Sequence, residues 1–518
     1  MKPNRLPKIV MNESTRKEVS EMGFVNKEQK LGNVLCETEL QLDSMQLERT
    51  HPALKQESVE SRSHDSTGQM VYMRPGNLAT WKAVFAVVIW EGGSAFDAWL
   101  TSSSVQVAQV LLTLPYSFAQ LGVVSGITFQ IFYGFVGCWT CFMITSLYAD
   151  YRSALEKKNL SSKDHTIQWY EVLGGLLGPW WKAAGLLVNT IYLFCLAIIQ
   201  LIACGSTVYY INDTLSKRTW TLIFGAFFIL TVFIPTAYNY RMWSLVGILM
   251  TTYTAWYLTI SAATNGQITG VKHSAPSGLV PYFTGATNLL FTFGGHSVTV
   301  EIMHAMWRPR QFKLVYLYTV LYIFSLTIPS ASSMYWAFGD LLLHNSNAFG
   351  VLPKNKFRDA AVVLMLIHQF IEFGLLCLPV HLMWEKVLGV HHSKYFILRA
   401  AARIPVALAM WFVSLMIPFF GPINSAVGSL LVTCSVYIIP CAAHMTFYRS
   451  AHNRQNAIEQ PPSWIRSWTT MYIINLLIVI WVVIIGLGFG SWASISNIVQ
   501  QVHTFGLFAK CYQCQKTS

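Results

Sequence analysis

Apolar residues fill most of the chain in long blocks that polar loops separate. A transmembrane helix needs about 20 predominantly apolar residues, and eleven blocks meet that length closely. This pattern predicts an all-α polytopic membrane protein. The predicted spans lie near 99–120, 121–148, 180–211, 219–236, 241–263, 282–307, 314–338, 357–388, 398–418, 421–446 and 468–490.

Composition supports that fold class and excludes others. Hydrophobic residues make up 53% of the 518 residues and charged residues only 12%, a balance far from that of soluble domains. The net charge is +12, but Lys and Arg lie scattered at the ends of the spans. Because they form no basic patch, we expect a lipid bilayer as the surroundings and no nucleic acid as a partner.

The distribution of basic residues predicts the orientation. An odd number of spans places the two termini on opposite sides, and a cytoplasmic amino terminus puts the basic clusters at 152–163 and 308–313 inside. We therefore expect a multi-pass protein with its amino terminus in the cytoplasm. The predicted domains are a disordered cytoplasmic tail (1–80), an interfacial lead-in (81–98), the transmembrane domain (99–490) and an extracellular C-terminal tail (491–518).

Two of the spans contain polar interruptions. Phe293-Gly294-Gly295-His296-Ser297 divides the sixth span, and adjacent glycines with an imidazole are not expected to face lipid as regular helix. Backbone groups freed there must face protein or a water-filled cavity, which makes this segment a candidate binding site.

The first span carries a polar stripe that ends at a proline. The stripe predicts a face turned away from lipid, and Pro115 removes a backbone donor where it ends. Hydrogen bonding between helices is the alternative explanation for each polar residue taken singly. The stripe consists of Ser102, Gln106, Gln109 and Thr113.

Interrupted first and sixth spans, one five-helix block apart, are typical of inverted-repeat secondary transporters. In such folds the ends of the half-helices meet the substrate near the bilayer midplane. The chain contains no nucleotide-binding or hydrolase motif and no zinc-ligand spacing, so we expect no enzyme activity, no metal and no cofactor.

Several long segments carry a resemblance to a known family. They include QVAQVLLTLPYSFAQLG from Gln106, FGGHSVTVEIMHAMW from Phe293, FFGPINSAVGSLLV from Phe419 and HTFGLFAKCYQC from His503. From about Gly92 to Gln515 the chain resembles the plant auxin influx carriers of the amino acid/auxin permease family, within the superfamily that shares the LeuT-type fold. The resemblance implies a plasma-membrane proton symporter that imports indole-3-acetic acid.

Four positions depart from what this resemblance leads us to expect. Val105 stands in place of Asn, Gly174 in place of Asp, Phe291 in place of Tyr and Glu372 in place of Thr. Val105 and Phe291 adjoin the two predicted interruptions, so they bear on substrate choice.

An indole acetate combines a flat aromatic body with one carboxylate. Its pocket needs apolar walls and a few convergent donors. The candidate substrate-binding residues are Gln106, Ala108, Gln109, Val110, Tyr116, Gln200, Phe291, Gly294, Gly295 and His296.

Import of an anion into a cell that is negative inside requires coupled protons, since each charge costs about 2.3 kcal/mol per 100 mV. His296 is the leading proton-coupling candidate, because an imidazole changes charge in the physiological pH range. Glu301 and His304 are expected to form an ion pair that serves as a gate or a proton relay. His368 and Glu372, four residues apart in the eighth span, are expected to pair as a second proton site or as a structural pair.

Smaller features complete the prediction. Cys511 and Cys514 are close enough for a disulfide outside the cell, and Asn212 begins a possible glycosylation sequon in an outside loop. Two other functions stay open: a proton-coupled amino acid permease, and a sensor that binds ligand without transporting it.

Overall fold

The computed structural model describes residues 93–514 except 108–109, 159–165, 234–239, 275, 277 and 392. All regular elements in this part of the chain are helical, which confirms the all-α fold class. The predicted tail (1–80) and most of the lead-in lie outside the described residues. The helices are α1 (Ala95–Val107), α2 (Val110–Leu121), α3 (Val123–Lys157), α4 (Trp169–Leu177), α5 (Pro179–Val208), α6 (Lys217–Ile229), α7 (Tyr240–Asn265), α8 (Leu279–Thr292), α9 (Thr299–Ala305), α10 (Phe312–Phe338), α11 (Lys356–Val387), α12 (Phe396–Met416), α13 (Phe420–Val427), α14 (Ile439–Phe447), α15 (Ala451–Gln455), α16 (Trp468–Val482) and α17 (Ser491–Phe505).

Eight helical segments in the described residues are long and apolar enough to cross a membrane. They match all predicted spans except the first, fourth and sixth. The first span is described as α1 and α2, and residues 108–109 between them lie outside the described residues. The sixth span is divided into α8 and α9. The fourth is the 13-residue α6 followed by a 3-10 turn, Leu230–Phe233. Hydropathy predicts these three spans because it does not require an unbroken helix.

The predicted interruption at Pro115 is not found. α1 ends at Val107 and α2 begins at Val110, and residues 108–109 between them lie outside the described residues. Pro115 lies inside α2 and removes only the bond to the Leu111 carbonyl. Every residue of α2 is buried, so packing offsets the missing bond and the helix continues.

The polar stripe of the first span faces inward as predicted. Ser102, Gln106 and Thr113 are all buried. Gln109 lies outside the described residues, so its part of the prediction stays untested.

The last span extends beyond the predicted boundary at 490. α16 continues through a π-helical segment, Val483–Gly490, into α17, which ends at Phe505. Hydropathy falls at Ser491 because the inward face of α17 is polar. Ser494 Oγ lies 2.5 Å from Ser425 Oγ, so this face packs against protein rather than lipid.

Two glycines let α8 pack closely against its neighbours just before the break. A Cβ on Gly428 would collide with the Thr287 carbonyl, and a Cβ on Gly490 would collide with the Thr287 side chain. Small residues permit such close helix contact. This packing fixes the end of α8, from which the interrupted segment leaves.

The segment after α17 crosses one face of the protein, and we name residues 506–514 the C-terminal strap. Phe508 N donates to Met416 O at 3.1 Å, at the end of α12. Arg218 N donates to Lys510 O at 3.2 Å. Cys511 and Cys514 form a disulfide within the strap, which confirms the predicted pair.

The end of the strap is held by a buried lysine. Lys217 Nζ donates to Tyr512 O at 2.8 Å and to Gln513 O at 3.1 Å. Ser346 Oγ donates to Gln513 Oε1 at 2.7 Å. The strap therefore ties α6 and α12 to the loop that follows α10.

These contacts join parts of the chain that lie on one side of the membrane if successive spans cross it in alternating directions. The strap contacts the start of α6, the segment after α10 and the end of α12, all on the side predicted to lie outside. Asn212, in the segment before α6, is exposed, as a glycosylation site requires. The identification of this face as extracellular stays a prediction.

We expect Lys217→Met to loosen the strap, because the substitution leaves the Tyr512 and Gln513 carbonyls without their donor. An unsatisfied buried group costs about 1–3 kcal/mol, enough to increase strap opening about tenfold or more. After mild reduction, labelling of Cys511 and Cys514 by a membrane-impermeant maleimide measures that opening. Lys354→Met removes an exposed lysine that pairs with Asp213 and serves as the control. Equal labelling rates for the two variants would contradict the anchoring role of Lys217.

Candidate functional site

A small cavity lies where α1 and α2 meet α5, α8 and α11. Its volume is about 30 Å³, room for about one or two water molecules. Ligand pockets usually measure about 300–1,000 Å³, so the helices must separate before an indole-sized molecule enters. The lining residues are Val105, Gln106, Val110, Tyr192, Leu196, Gln200, Phe291, Thr292, Gly294, Gly295 and Leu376.

The structure brings most of the predicted substrate-binding residues to this cavity. Those that line it are Gln106, Val110, Gln200, Phe291, Gly294 and Gly295. Ala108 and Gln109 lie outside the described residues. Tyr116 does not line the cavity and packs against α13 at Gly421. Val105 and Phe291, which depart from the expected family pattern, both contribute walls.

Other lining residues were not predicted, although their spacing could have indicated them. Tyr192, Leu196 and Gln200 follow one another at intervals of four on α5, so they share one helical face. Leu376 lies four residues after Glu372 on α11. The helical repeat places Tyr192 and Leu196 on the same face as Gln200, and Leu376 on the same face as Glu372.

Tyr192 holds the interrupted segment in place. α8 ends at Thr292, and a 3-10 turn, Gly295–Val298, precedes α9, which confirms the predicted break. The Tyr192 hydroxyl donates to the Gly294 carbonyl at 2.6 Å. That carbonyl belongs to the break, so Tyr192 supplies a partner for a backbone group that the divided helix leaves free.

His296 is buried but does not line the cavity. Its Nε2 lies 3.1 Å from the Thr140 hydroxyl and 3.1 Å from the Gly137 carbonyl, both on α3. His296 therefore lies outside the cavity wall of the described residues, and its contact with substrate stays a prediction. The break turns the imidazole toward α3.

Tyr316 on α10 links His296 to the cavity. Gln106 Nε2 donates to the Tyr316 hydroxyl at 2.5 Å, and that hydroxyl lies 3.4 Å from His296 Nδ1. It also donates to the Phe293 carbonyl at 3.3 Å. A change at the imidazole can thus reach Gln106 in the cavity wall. Tyr316 was not predicted, because nothing near it in the chain indicates its contacts with Gln106 and His296.

The cavity combines apolar walls with uncharged polar groups. None of its lining residues has a charged side chain. Gln106 Oε1 is buried and has no hydrogen-bond partner in the described part of the chain. Gly295 begins the 3-10 turn after the break in the sixth span, so the first N–H groups of that turn are close to the cavity. Such N–H groups and the helix dipole favour an anionic ligand.

Glu301 and His304 contact different neighbours. Gln168 Nε2 donates to Glu301 Oε1 at 3.4 Å, whereas His304 Nδ1 lies 3.4 Å from the Tyr148 hydroxyl. Helical i,i+3 spacing permits contact between the two side chains without requiring it. The predicted ion pair between them stays a prediction.

His368 and Glu372 also fail to pair as predicted. Ser104 Oγ donates to Glu372 Oε1 at 2.8 Å, linking α1 to α11. Glu372 Oε2 and both ring nitrogens of His368 have no hydrogen-bond partner among the described residues. Spacing placed the two side chains on one face, but the tertiary partner of Glu372 is on another helix.

The chain matches the family model described as transmembrane amino acid transporter protein over residues 91–485. It belongs to that family. The matched residues include the predicted first and sixth spans and all the residues that line the cavity.

Individual members of this transporter family are similar over most of their length. Auxin transporter-like protein 4 of Medicago truncatula is 62% identical over 431 residues, covering 83% of this chain and 89% of the relative. Auxin transporter protein 1 of Arabidopsis thaliana is 62% identical over 427 residues, covering 82% and 88%. Auxin transporter-like protein 1 of Oryza sativa subsp. japonica is 61% identical over 429 residues, covering 83% and 87%. The predicted resemblance to the auxin carriers is thereby confirmed.

Proposed function

We propose that this membrane transporter is a proton symporter that imports indole-3-acetic acid across the plasma membrane, with its amino terminus in the cytoplasm. The names of the similar proteins support auxin as the substrate class. The divided sixth span supports a LeuT-type inverted repeat, in which half-helices meet at the substrate.

The observation that carries the proposal is an uncharged polar cavity connected to a buried histidine. Phe291, Leu196 and Leu376 offer apolar surface to an indole ring. The first N–H groups of the 3-10 turn that begins at Gly295 suit a carboxylate. Tyr316 then connects this anion site to His296.

The coupling follows from the charge of the two ligands. A proton on His296 adds positive charge close to the site where the carboxylate binds, so proton and anion stabilise each other's binding. Release of the proton on the cytoplasmic side removes that attraction. The hydrogen bonds that the Tyr316 hydroxyl makes with His296 and Gln106 rearrange in response. The change in protonation of His296 thereby reaches the cavity through Gln106.

An amino acid permease is the second candidate function, because the family model is named for amino acid transport. An amino acid brings an α-ammonium group that must be paired when it leaves water. The lining residues include no carboxylate to pair with it. This favours an acid that lacks an amine.

Uptake of labelled indole-3-acetate by proteoliposomes under an inward pH gradient tests the proposal. We expect about tenfold accumulation or more per pH unit, since each coupled proton contributes about 1.4 kcal/mol per unit. Unlabelled phenylacetate should compete strongly, and tryptophan, which carries the same indole with an ammonium group, should compete weakly. Preferential competition by tryptophan would favour the permease. Saturable binding without accumulation would indicate a sensor.

A further inference from the structure

A second buried polar cluster lies between α1, α7 and α11, and we name Ser104, His368 and Glu372 the α11 cluster. All three residues are at most 1% exposed. Ser104 Oγ donates to Glu372 Oε1 at 2.8 Å. On α7, a Cβ added to Gly247 would lie 2.6 Å from Ser104 Oγ and 2.8 Å from His368 Nδ1. The hydroxyl and the imidazole therefore converge on the same point of the α7 backbone.

The cluster contains more buried polar atoms than partners. Glu372 Oε2, His368 Nδ1 and His368 Nε2 have no hydrogen-bond partner in the described residues, and no salt bridge to Glu372 is found there. An ionised carboxylate buried without a counter-charge is strongly unfavourable. Glu372 Oε2 and the two ring nitrogens of His368 are therefore the atoms to which a positively charged ligand would bind.

A proton suits this site better than a metal ion. Hard cations such as Mg²⁺ and Ca²⁺ take about six or more oxygen ligands. The α11 cluster offers one carboxyl and one hydroxyl, and the described residues contain no group of three His, Cys, Asp or Glu side chains that could hold a metal. A carboxylate oxygen and a neutral imidazole nitrogen can each accept one proton.

Charged groups on the helices packed against the cluster are engaged or lie at the surface. On α1, Asp97 Oδ2 accepts from the N–H groups of Gly93 and Ser94. Further along α11, Glu385 pairs with Arg399 and Arg403 of α12. Lys182 on α5 is exposed. The side chain of Arg241, the charged residue in the α7 sequence, lies outside the described residues.

The cluster adjoins the substrate cavity along two helices. Val105, next to Ser104 on α1, lines the cavity, and so does Leu376, one turn beyond Glu372 on α11. α1 must move relative to α11 for the cavity to widen. A proton bound among Ser104, His368 and Glu372 would favour contact between α1 and α11. Loss of that proton would favour separation of the two helices.

We propose that the α11 cluster is a second proton-binding site, separate from His296, that carries one proton inward in each transport cycle. This inference rests on the proposed symport and sets its stoichiometry. The proton adds to the Glu372 carboxylate beside His368 from the outer side and leaves to water on the cytoplasmic side. Two protons with one carboxylate anion move one net positive charge inward, so the membrane potential also drives uptake.

Accumulation of indole-3-acetate in proteoliposomes of the purified full chain tests the charge balance. We expect the unmodified protein to accumulate about tenfold per 60 mV, inside negative, at equal pH, because tenfold is about 1.4 kcal/mol and 100 mV is about 2.3 kcal/mol per charge. A difference of one pH unit without a potential should give about a hundredfold. Glu372→Gln keeps the size of the side chain but cannot bind the proton, so it should lose the voltage response and give about tenfold per pH unit.

Two further variants control for local damage. Glu372→Thr places the residue expected from the family resemblance and should behave as Glu372→Gln does. Glu156→Gln removes a carboxylate from an exposed ion pair with Arg152 and should keep both responses. Voltage-driven accumulation that survives in Glu372→Gln, or that is absent from the unmodified protein, overturns the second site.

Infrared spectroscopy separates this inference from the proposed function. We expect a protonated-carboxyl C=O band that titrates in the purified protein without substrate, is lost in Glu372→Gln and persists in Glu156→Gln. An unchanged band in Glu372→Gln overturns the second site. If the unmodified protein accumulates no indole-3-acetate under a pH gradient, the proposed function fails, and the infrared band still decides whether Glu372 binds a proton.

Discussion

Replacement of His296 by alanine is expected to abolish the pH-driven accumulation of indole-3-acetate while the protein still reaches the membrane. The imidazole is the titratable group connected to the cavity through Tyr316. Without it, no charge develops behind the cavity wall when the outer side is acidic, and the anion loses its partner. Accumulation in proteoliposomes under an inward pH gradient should fall from about tenfold or more per pH unit to none.

Matched variants separate coupling from folding. His452→Ala removes an exposed histidine and should leave uptake unchanged. Tyr316→Phe keeps the ring and the imidazole but removes the hydroxyl between Gln106 and His296. We expect it to raise the KM about tenfold, for a loss of about 1–3 kcal/mol, and to flatten the pH profile. Normal uptake with a normal pH profile in His296→Ala would show that the histidine is structural.

Replacement of Gly294 by alanine is expected to remove transport almost completely. The added Cβ would collide with the Tyr192 hydroxyl and would lie 3.0 Å from the Phe291 carbonyl. Since the hydroxyl is bonded to the Gly294 carbonyl, the collision must displace either the break or Tyr192. Uptake should fall about a hundredfold, a loss of about 2.7 kcal/mol, within the cost of forcing extra atoms into a packed site.

A second substitution should restore part of that loss. Tyr192→Phe in the Gly294→Ala background removes the hydroxyl that causes the collision, so the double variant should recover uptake relative to Gly294→Ala alone. Gly488→Ala is the control, because the nearest atom to its added Cβ is the Val483 carbonyl at 3.4 Å. A Gly294→Ala protein with normal uptake, or no recovery in the double variant, would contradict this account of the break.

The break in the sixth span was predictable because its cause is local. Two adjacent glycines and a histidine interrupt an apolar run, and α8 ends just before them. The interruption predicted at Pro115 in the first span was wrong, because the proline lies within α2. Burial of every residue of α2 keeps Pro115 within a helix, and burial depends on the rest of the fold.

The cavity residues likewise divide into those that the local sequence indicates and those that it does not. Gln106, Phe291 and Gly295 were identified because they lie beside interruptions visible in the sequence. Tyr192 and Tyr316 lie in ordinary apolar spans, and their importance comes from partners 102 and 210 residues away in the chain. No local pattern specifies such contacts.

The sequence by itself determined the helical class, the divided sixth span and the family, because hydropathy and long motifs are properties of consecutive residues. The tertiary structure decided which polar groups meet. It turned His296 toward α3, joined it to the cavity through Tyr316, and gave Glu372 the hydroxyl of Ser104 as a partner while leaving His368 unpartnered in the described residues. Helical spacing restricts each side chain to a face of its own helix, and the packing of the neighbouring helices decides what that face contacts.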